Sequence, residues 1–176
     1  VIRPLSFDFS VDRPGKTIVV LREFSAERPF VWAAFTRPEL LDQWWAPQPW
    51  KTRTKTMDFR EGGQWFYAMN GPEGEENWNL LQYTSIRPQE HFAAHSSFTD
   101  AEGRVSPEMP QSGWTLTFKE RGPVTEVEIR ISFEDVAQLE TILKMGFQEG
   151  FTQTLAALDQ QLAGGGQDRM EGSRER

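Results

Sequence analysis

Cysteine is absent, histidine and tyrosine occur twice each, and no long apolar run appears in these 176 residues. Without cysteine there are no disulfides, thiolate zinc sites or cysteine nucleophile. A spanning helix needs roughly 18 or more apolar residues in a row, and the chain has no such stretch. The first residues lack the charged-then-apolar pattern of a signal peptide, so a cytoplasmic location and no membrane partner are expected. A basic face is missing as well: the formal charge is −7 and the pI is near 5.0. Binding to polyanions draws on counterions released by clustered cations, so nucleic acid is not an expected partner. Lys51, Arg53 and Lys55 share one side of a short segment, which reads as a solvated strand face. No nucleophile elbow, phosphate-binding loop or glycine-rich dinucleotide fingerprint occurs, and no cofactor is expected.

What the chain does have is rings. Seven Trp and thirteen Phe exceed what a minimal core requires. They read either as a core of large residues or as the walls of an apolar ligand cavity. The length suits one domain with a core that needs neither metal nor disulfide.

Residues 1–15 show no sustained period and read as a partly ordered lead-in with an edge strand over 5–9. The run KTIVVLREF over 16–24 reads as a strand. Two short helices follow. Ser25 is placed to cap the first, with Pro29 in its first turn. Thr36 and Glu39 have capping-box spacing for the second, which carries Leu40, Leu41 and Trp44 until Pro47 and Pro49 end it. The period then changes to two. Trp65, Tyr67 and Met69 share a face, as do Phe92, Ala94, Ser96 and Phe98. Trp114, Leu116 and Phe118 alternate with polar residues, and Val127, Ile129, Ile131 and Phe133 do the same after a turn at Arg121-Gly122-Pro123.

A helix with Asp135 as cap and Gln138 at capping-box spacing closes the domain. Leu139, Leu143, Phe147, Phe151, Leu155, Leu158 and Leu162 give it one continuous apolar stripe. Gly164-Gly165-Gly166 is expected to stop it, leaving 164–176 as a flexible tail. Strands in a run followed by one amphipathic helix argue for an α+β fold. A curved antiparallel sheet wraps a long C-terminal helix, with a pocket where close packing fails.

The order of elements and several phrases are similar to a known superfamily. They are Phe24-Ser25-Ala26, Pro29-Phe30-Val31-Trp32-Ala33-Ala34-Phe35-Thr36, Pro38-Glu39-Leu40-Leu41-Asp42-Gln43-Trp44-Trp45, Asp58-Phe59-Arg60-Glu61-Gly62-Gly63-Gln64-Trp65, Met69-Asn70-Gly71-Pro72-Glu73-Gly74 and Ile86-Arg87-Pro88. Together they resemble the SRPBCC (START-like, helix-grip) superfamily, and within it the branch named after the activator of the heat-shock protein 90 ATPase. The resemblance runs over 16–163, which is read as the domain. It implies a helix-grip fold; members of the superfamily include lipid carriers, plant hormone receptors, polyketide cyclases and a co-chaperone domain, and fold alone does not choose among them. Three departures stand out: Gly150-Phe151 where a Gly-Trp pair is common, Phe66 where the branch often has a polar residue, and a longer insert over 100–112 that is expected to cover a pocket mouth.

Trp44, Trp45 and Trp50 read either as a plug at one end of the sheet or as the rim of a ligand entrance. Trp65, Tyr67, Met69 and Trp114, with Tyr83 beside them, read either as core or as cavity wall. Gly146 and Gly150 lie four apart in the closing helix. They suit either close passage over a strand or free volume for a ligand beside Met145 and Phe147. His91 and His95 share a strand face without a third metal ligand. Asp58, Arg60 and Glu61 read as a turn-fixing ion pair. The leading expectation is a non-catalytic binding domain for a small apolar or aromatic molecule, contacted by Trp44, Trp45, Trp50, Trp65, Tyr67, Met69, Tyr83, Trp114, Met145 and Phe147. The alternatives are a protein-interaction module, with a homodimer among its forms, and a cyclase- or hydrolase-type enzyme using the same cavity.

Overall fold

The computed structural model describes residues 5–174, and side chains as far as Gly164. Eight strands form one antiparallel sheet: β1 (Phe7–Asp12), β2 (Thr17–Phe24), β3 (Lys51–Met57), β4 (Gln64–Asn70), β5 (Glu76–Arg87), β6 (His91–Thr99), β7 (Ser112–Arg121) and β8 (Val124–Phe133). Between β2 and β3 stand α1 (Arg28–Thr36) and α2 (Pro38–Trp44), and after β8 come α3 (Val136–Lys144) and α4 (Phe147–Arg174). The sheet order is β1-β2-β8-β7-β6-β5-β4-β3. After β2 the chain crosses to the far edge by way of α1 and α2. It then returns strand by strand until Ile129 of β8 lies opposite Val20 of β2. Irregular register between Thr54 and Thr56, and between Tyr83 and Ser85, marks bulges that bend the strands. The helices occupy the inner side of this α+β helix-grip fold. No described helix is long and apolar enough to cross a membrane.

The period-two residues do what their spacing demands. Ile18, Val20, Leu116, Val127, Ile129 and Ile131 turn inward against Leu139 of α3 and Phe151, Leu155 and Leu158 of α4, all buried. Each fully buried Leu or Ile of this set contributes about 1.5–3 kcal/mol relative to exposure. The lead-in strand extends further than expected, pairing along Phe7–Asp12 with β2.

Several local expectations need correction. Neither Ser25 nor Thr36 caps a helix: the N-cap residues are Glu27 and Arg37, without side-chain bonds, and a proline follows each in the first turn. Proline presets the helical φ, so it starts these short helices without a capping side chain. Thr36 Oγ1 instead donates to Trp32 O at 2.8 Å. Asp135 does cap, accepting from Gln138 N at 2.9 Å. Gln138 does not reciprocate; its Oε1 accepts from Gln111 N.

The closing helix is two helices. Met145 ends α3, and Gly146 adopts φ +86 before α4 begins. A left-handed glycine is a common helix stop, because no Cβ meets the preceding turn. The apolar stripe keeps its phase across the break, which is why the sequence reads as continuous. Gly164 and the two glycines after it lie within α4 and do not end it. Glycine lowers helix stability by about 1 kcal/mol relative to Ala but forbids nothing. Where a flexible tail is expected from 164, α4 continues as far as Arg174, and 175–176 lie outside the described residues.

Phe66 belongs to a second, smaller cluster on the outer face. Phe66, Ala68, Trp78 and Leu80 are each 8% exposed or less. Lys55 Nζ lies 5.7 Å from the Phe66 ring centre, and the Arg53 guanidinium 5.4 Å from that of Trp78. Arg53 and Lys55 of β3, though exposed, therefore also cover rings. The 100–112 insert starts on the same side: Ala101 packs on this cluster, and Gly103 sits beside Phe66. This half of the insert lies across the sheet from the cavity described next, so it does not cover its mouth.

Candidate functional site

Below the break between α3 and α4, helix and sheet separate and enclose a cavity of about 270 Å³. Inward positions of β4 to β8 floor it, and Trp45 and Pro47 just after α2, with α3 and α4, wall the rest. Of its lining, Asn77, Met145 and Gly146 are exposed, and they mark its mouth.

One side is a ring cluster. Trp45, at the C-terminus of α2, lies 6.0 Å from Trp114 and 5.9 Å from Phe151 between ring centres. Phe147 stacks on Phe151 at 5.0 Å, one turn apart on α4. Gly150 faces Pro47, just beyond α2, and a Cβ there would stand 3.6 Å from Pro47 Cγ, an ordinary contact. The other side carries neutral polar groups. Tyr67 Oη accepts from Trp45 Nε1 at 3.0 Å, and Asn79 stands directly opposite Tyr67 in the β4–β5 register. Ser96 and Ser112 face each other across β6 and β7. Burial raises the Tyr67 phenol above its ordinary value, and the bond from Trp45 partly opposes this. The phenol is therefore a donor at any neutral pH.

Of the residues singled out from sequence, Trp45, Tyr67, Met69, Trp114, Met145 and Phe147 meet in this cavity. The other four do not line it. Trp44 is 2% exposed and donates to Ala34 O at 3.0 Å, as a plug between α1 and α2. Trp50 is half-buried beside an outer cleft. Trp65 lies behind the wall, stacked on Tyr67 at 3.9 Å, with its indole hydrogen on Thr54 Oγ1. Tyr83 is packed against Phe59 at 4.9 Å, and burial, helped by repulsion from an ionised Tyr67, raises its pKa too. Residues such as Asn77, Asn79, Ser112 and Thr154 escaped sequence reasoning. Their signal was parity alone: Asn77 and Asn79 share a face with Leu81 and Tyr83.

The histidines lie on the outer face. His91 Nε2 is 3.1 Å from Ser85 Oγ, and His95 Nε2 is 2.8 Å from Gln111 Oε1. Among the described residues no group of three or more acidic or histidine side chains is arranged to hold a metal. Arg60 pairs with Asp58, while Glu61 accepts from Ile86 N at 3.1 Å, so the Gly62-Gly63 turn is braced from both sides.

Two larger depressions lie elsewhere on the molecule. One, of about 570 Å³, runs past Arg28, Arg87 and Lys119, where Arg87 pairs with Glu90 and Arg28 with Glu120. The other, of about 550 Å³, adjoins Trp50. Charged side chains line both, Asp42 and Lys51 in the second, whereas none lines the smaller cavity under Gly146, which is the candidate site.

Comparison with known proteins places this arrangement. A crystal structure of a Mycobacterium smegmatis protein aligns with TM-score 0.83 at 25% identity, over 90% of this chain and 97% of that one. A solution structure from Arthrobacter aurescens aligns at 0.82 and 27% identity, over 86% and 88%. The AHSA1 protein of Silicibacter pomeroyi, 21% identical, shares the fold at 0.67 over 84% and 97%. No curated protein matches the sequence. Residues 25–163 match the family described as Activator of Hsp90 ATPase homolog 1-like protein, and the chain belongs to that family, in the helix-grip superfamily its phrases resemble.

Proposed function

We propose that the protein binds a small apolar or aromatic molecule in the cavity beneath Gly146. Trp45, Tyr67, Met69, Trp114, Met145 and Phe147 are its contacts. The observation that carries this reading is a cavity of about 270 Å³ walled by rings, with no charged side chain in its lining. Ligand sites are typically concave and mostly apolar, with a few placed polar groups. An apolar cavity of about 150 Å³ takes a benzene, so this one suits a single ring with a short substituent.

The fold is compatible with such binding. The reading treats the protein as a cytoplasmic carrier or sensor, in keeping with a chain free of cysteine. An interaction module working through Trp44, Trp45 and Trp50 fits less well, because Trp44 and Trp45 are 2% and 7% exposed. A cyclase-type reaction would need Tyr67 as its polarising donor, and the phenol is suitably placed and protonated. No second group beside it supplies a base, so binding is the simpler reading.

Native mass spectrometry of the purified protein, before and after denaturation, tests this directly, with titration by one-ring probes as its second arm. A small mass lost on denaturation, or saturable probe binding that perturbs Trp45 and Trp114 fluorescence, is the expected result. A bare protein that binds no such probe would overturn the proposal. The same spectra report whether the chain forms a homodimer.

A further inference from the structure

The polar side of the cavity has unused hydrogen-bonding capacity, and its sign and charge are specific. Tyr67 Oη and Ser112 Oγ each accept an indole hydrogen at 3.0 Å, from Trp45 and Trp114. Each hydroxyl therefore still has its own hydrogen to give. Ser96 Oγ has no hydrogen-bond partner among the described residues, and Asn79 has one long bond, from Nδ2 to Asn77 O at 3.4 Å. In the sheet register Tyr67 stands opposite Asn79, and Ser96 opposite Ser112. Leu81, two residues on from Asn79 on the same face, stands opposite Ser96. The four polar groups thus form a diagonal band across β4, β5, β6 and β7. Directly opposed side chains start about 5 Å apart, so one ligand atom can meet more than one of them.

This band discriminates among ligands. A hydrocarbon would strip its hydroxyls of water and return nothing. A carboxylate would meet no cation, and an ammonium no carboxylate, since none lines the cavity. A neutral accepting oxygen matches the hydrogens left over. Resting on the reading of this cavity as a ligand site, we infer that the ligand is an uncharged aromatic molecule bearing an accepting oxygen, as in a ketone, held by the hydroxyls of Tyr67, Ser96 and Ser112. The ring goes to Trp45, Trp114 and Phe147, and the oxygen to the band. The high pKa of the Tyr67 phenol keeps that donor protonated.

Acetophenone, isopropenylbenzene and benzoate have nearly one shape and differ in what they offer the band. Their dissociation constants, from NMR chemical-shift titration of the whole protein at neutral pH, test the inference. Acetophenone is expected to bind about 10-fold tighter than isopropenylbenzene, and benzoate to bind weakest. Tyr67→Phe and Ser96→Ala should each narrow the ketone-to-alkene ratio by about 3-fold. Ser96→Ala removes no hydrogen bond of the fold and carries the test if Tyr67→Phe folds poorly. Equal affinities for ketone and alkene, a preference for benzoate, or a ratio unchanged in both variants would overturn this inference and leave the ligand cavity standing. If none of the three binds, the cavity reading falls and this inference with it.

Discussion

Trp45, at the end of α2, donates its indole hydrogen to the phenol of Tyr67, in the middle of β4, 3.0 Å away. The bond ties the helical layer to the sheet at the edge of the cavity. It satisfies an N–H on a ring that is 7% exposed, and the acceptor is 3% exposed. A buried donor stripped of its acceptor costs about 1–3 kcal/mol, so this pair supports the fold as well as the site.

The two tyrosines make the protein sensitive to alkali. Burial raises both Tyr67 and Tyr83 above the ordinary phenol value of 10.0. In the unfolded chain both ionise near that value, while in the folded state they keep their protons to higher pH. Above about pH 10 the unfolded state binds fewer protons, so stability falls there, and the contribution is whole below it. The loss approaches about 1.4 kcal/mol per pH unit for each phenol. Urea unfolding from about pH 8 upward should show this slope, and Tyr67→Phe should halve it. Since these are the only tyrosines, phenolate absorbance reads them directly, and ionisation near pH 10 without unfolding would contradict the prediction.

Gly150→Ala should move stability and binding in opposite directions. Alanine favours the interior of α4 by about 1 kcal/mol, and its methyl would meet Pro47 Cγ at 3.6 Å, an ordinary contact. The same methyl takes space from the cavity lining. Thermal unfolding should show stabilisation of about 0.5–1 kcal/mol, and acetophenone titration a weaker affinity.

Gly146→Ala behaves differently, although the glycine is only four residues away. Nothing lies within 4 Å of an added Cβ, but φ is +86. The left-handed conformation costs a residue with a Cβ about 1–2 kcal/mol. Chemical denaturation should show that loss, with a larger effect for β-branched Gly146→Val. A neutral result would mean that the break between α3 and α4 is absent in solution.

Asp42 anchors α2 to the edge strand β3. Its Oδ1 accepts from Thr54 N at 2.9 Å and from Thr54 Oγ1 at 2.6 Å, and Thr54 Oγ1 in turn accepts from Trp65 Nε1 at 2.9 Å. Asp42→Ala leaves an N–H without its acceptor and should cost about 1–3 kcal/mol. Amide hydrogen exchange should locate the loosening at β3 and the first half of β4, whereas uniform loss of protection would argue against a local anchor.

Much of this architecture is written in short-range pattern. The alternation of Trp114, Leu116 and Phe118 against Thr115 and Thr117 sets the faces of β7 without knowledge of its neighbours, and the same holds for β8. The stripe from Leu139 to Leu162 likewise sets which side of α3 and α4 is buried. Six of the ten site residues named from sequence meet in the cavity: Tyr67, Met69 and Trp114 because inward strand residues share one side of the sheet, and Trp45, Met145 and Phe147 because the helical layer covers that side. Trp44, Trp50, Trp65 and Tyr83 are equally ring-like in the sequence, and only packing sends them elsewhere. Phe66 shows the limit from the other direction: period two allows a strand with one buried face, and here the outer face is buried as well.

The sequence by itself therefore determined the fold class, the inward set of each strand and the ring content of the interior. These follow from apolar periodicity, a property of residues a few positions apart. The tertiary structure alone decided where the closing helix breaks, which rings enclose space and which fill it, and that Tyr67, Asn79, Ser96 and Ser112 form one polar band. The reason is physical. Hydrogen-bond partners and free volume arise between strands that are distant in sequence, and a serine inside a cavity has the same local pattern as one facing water.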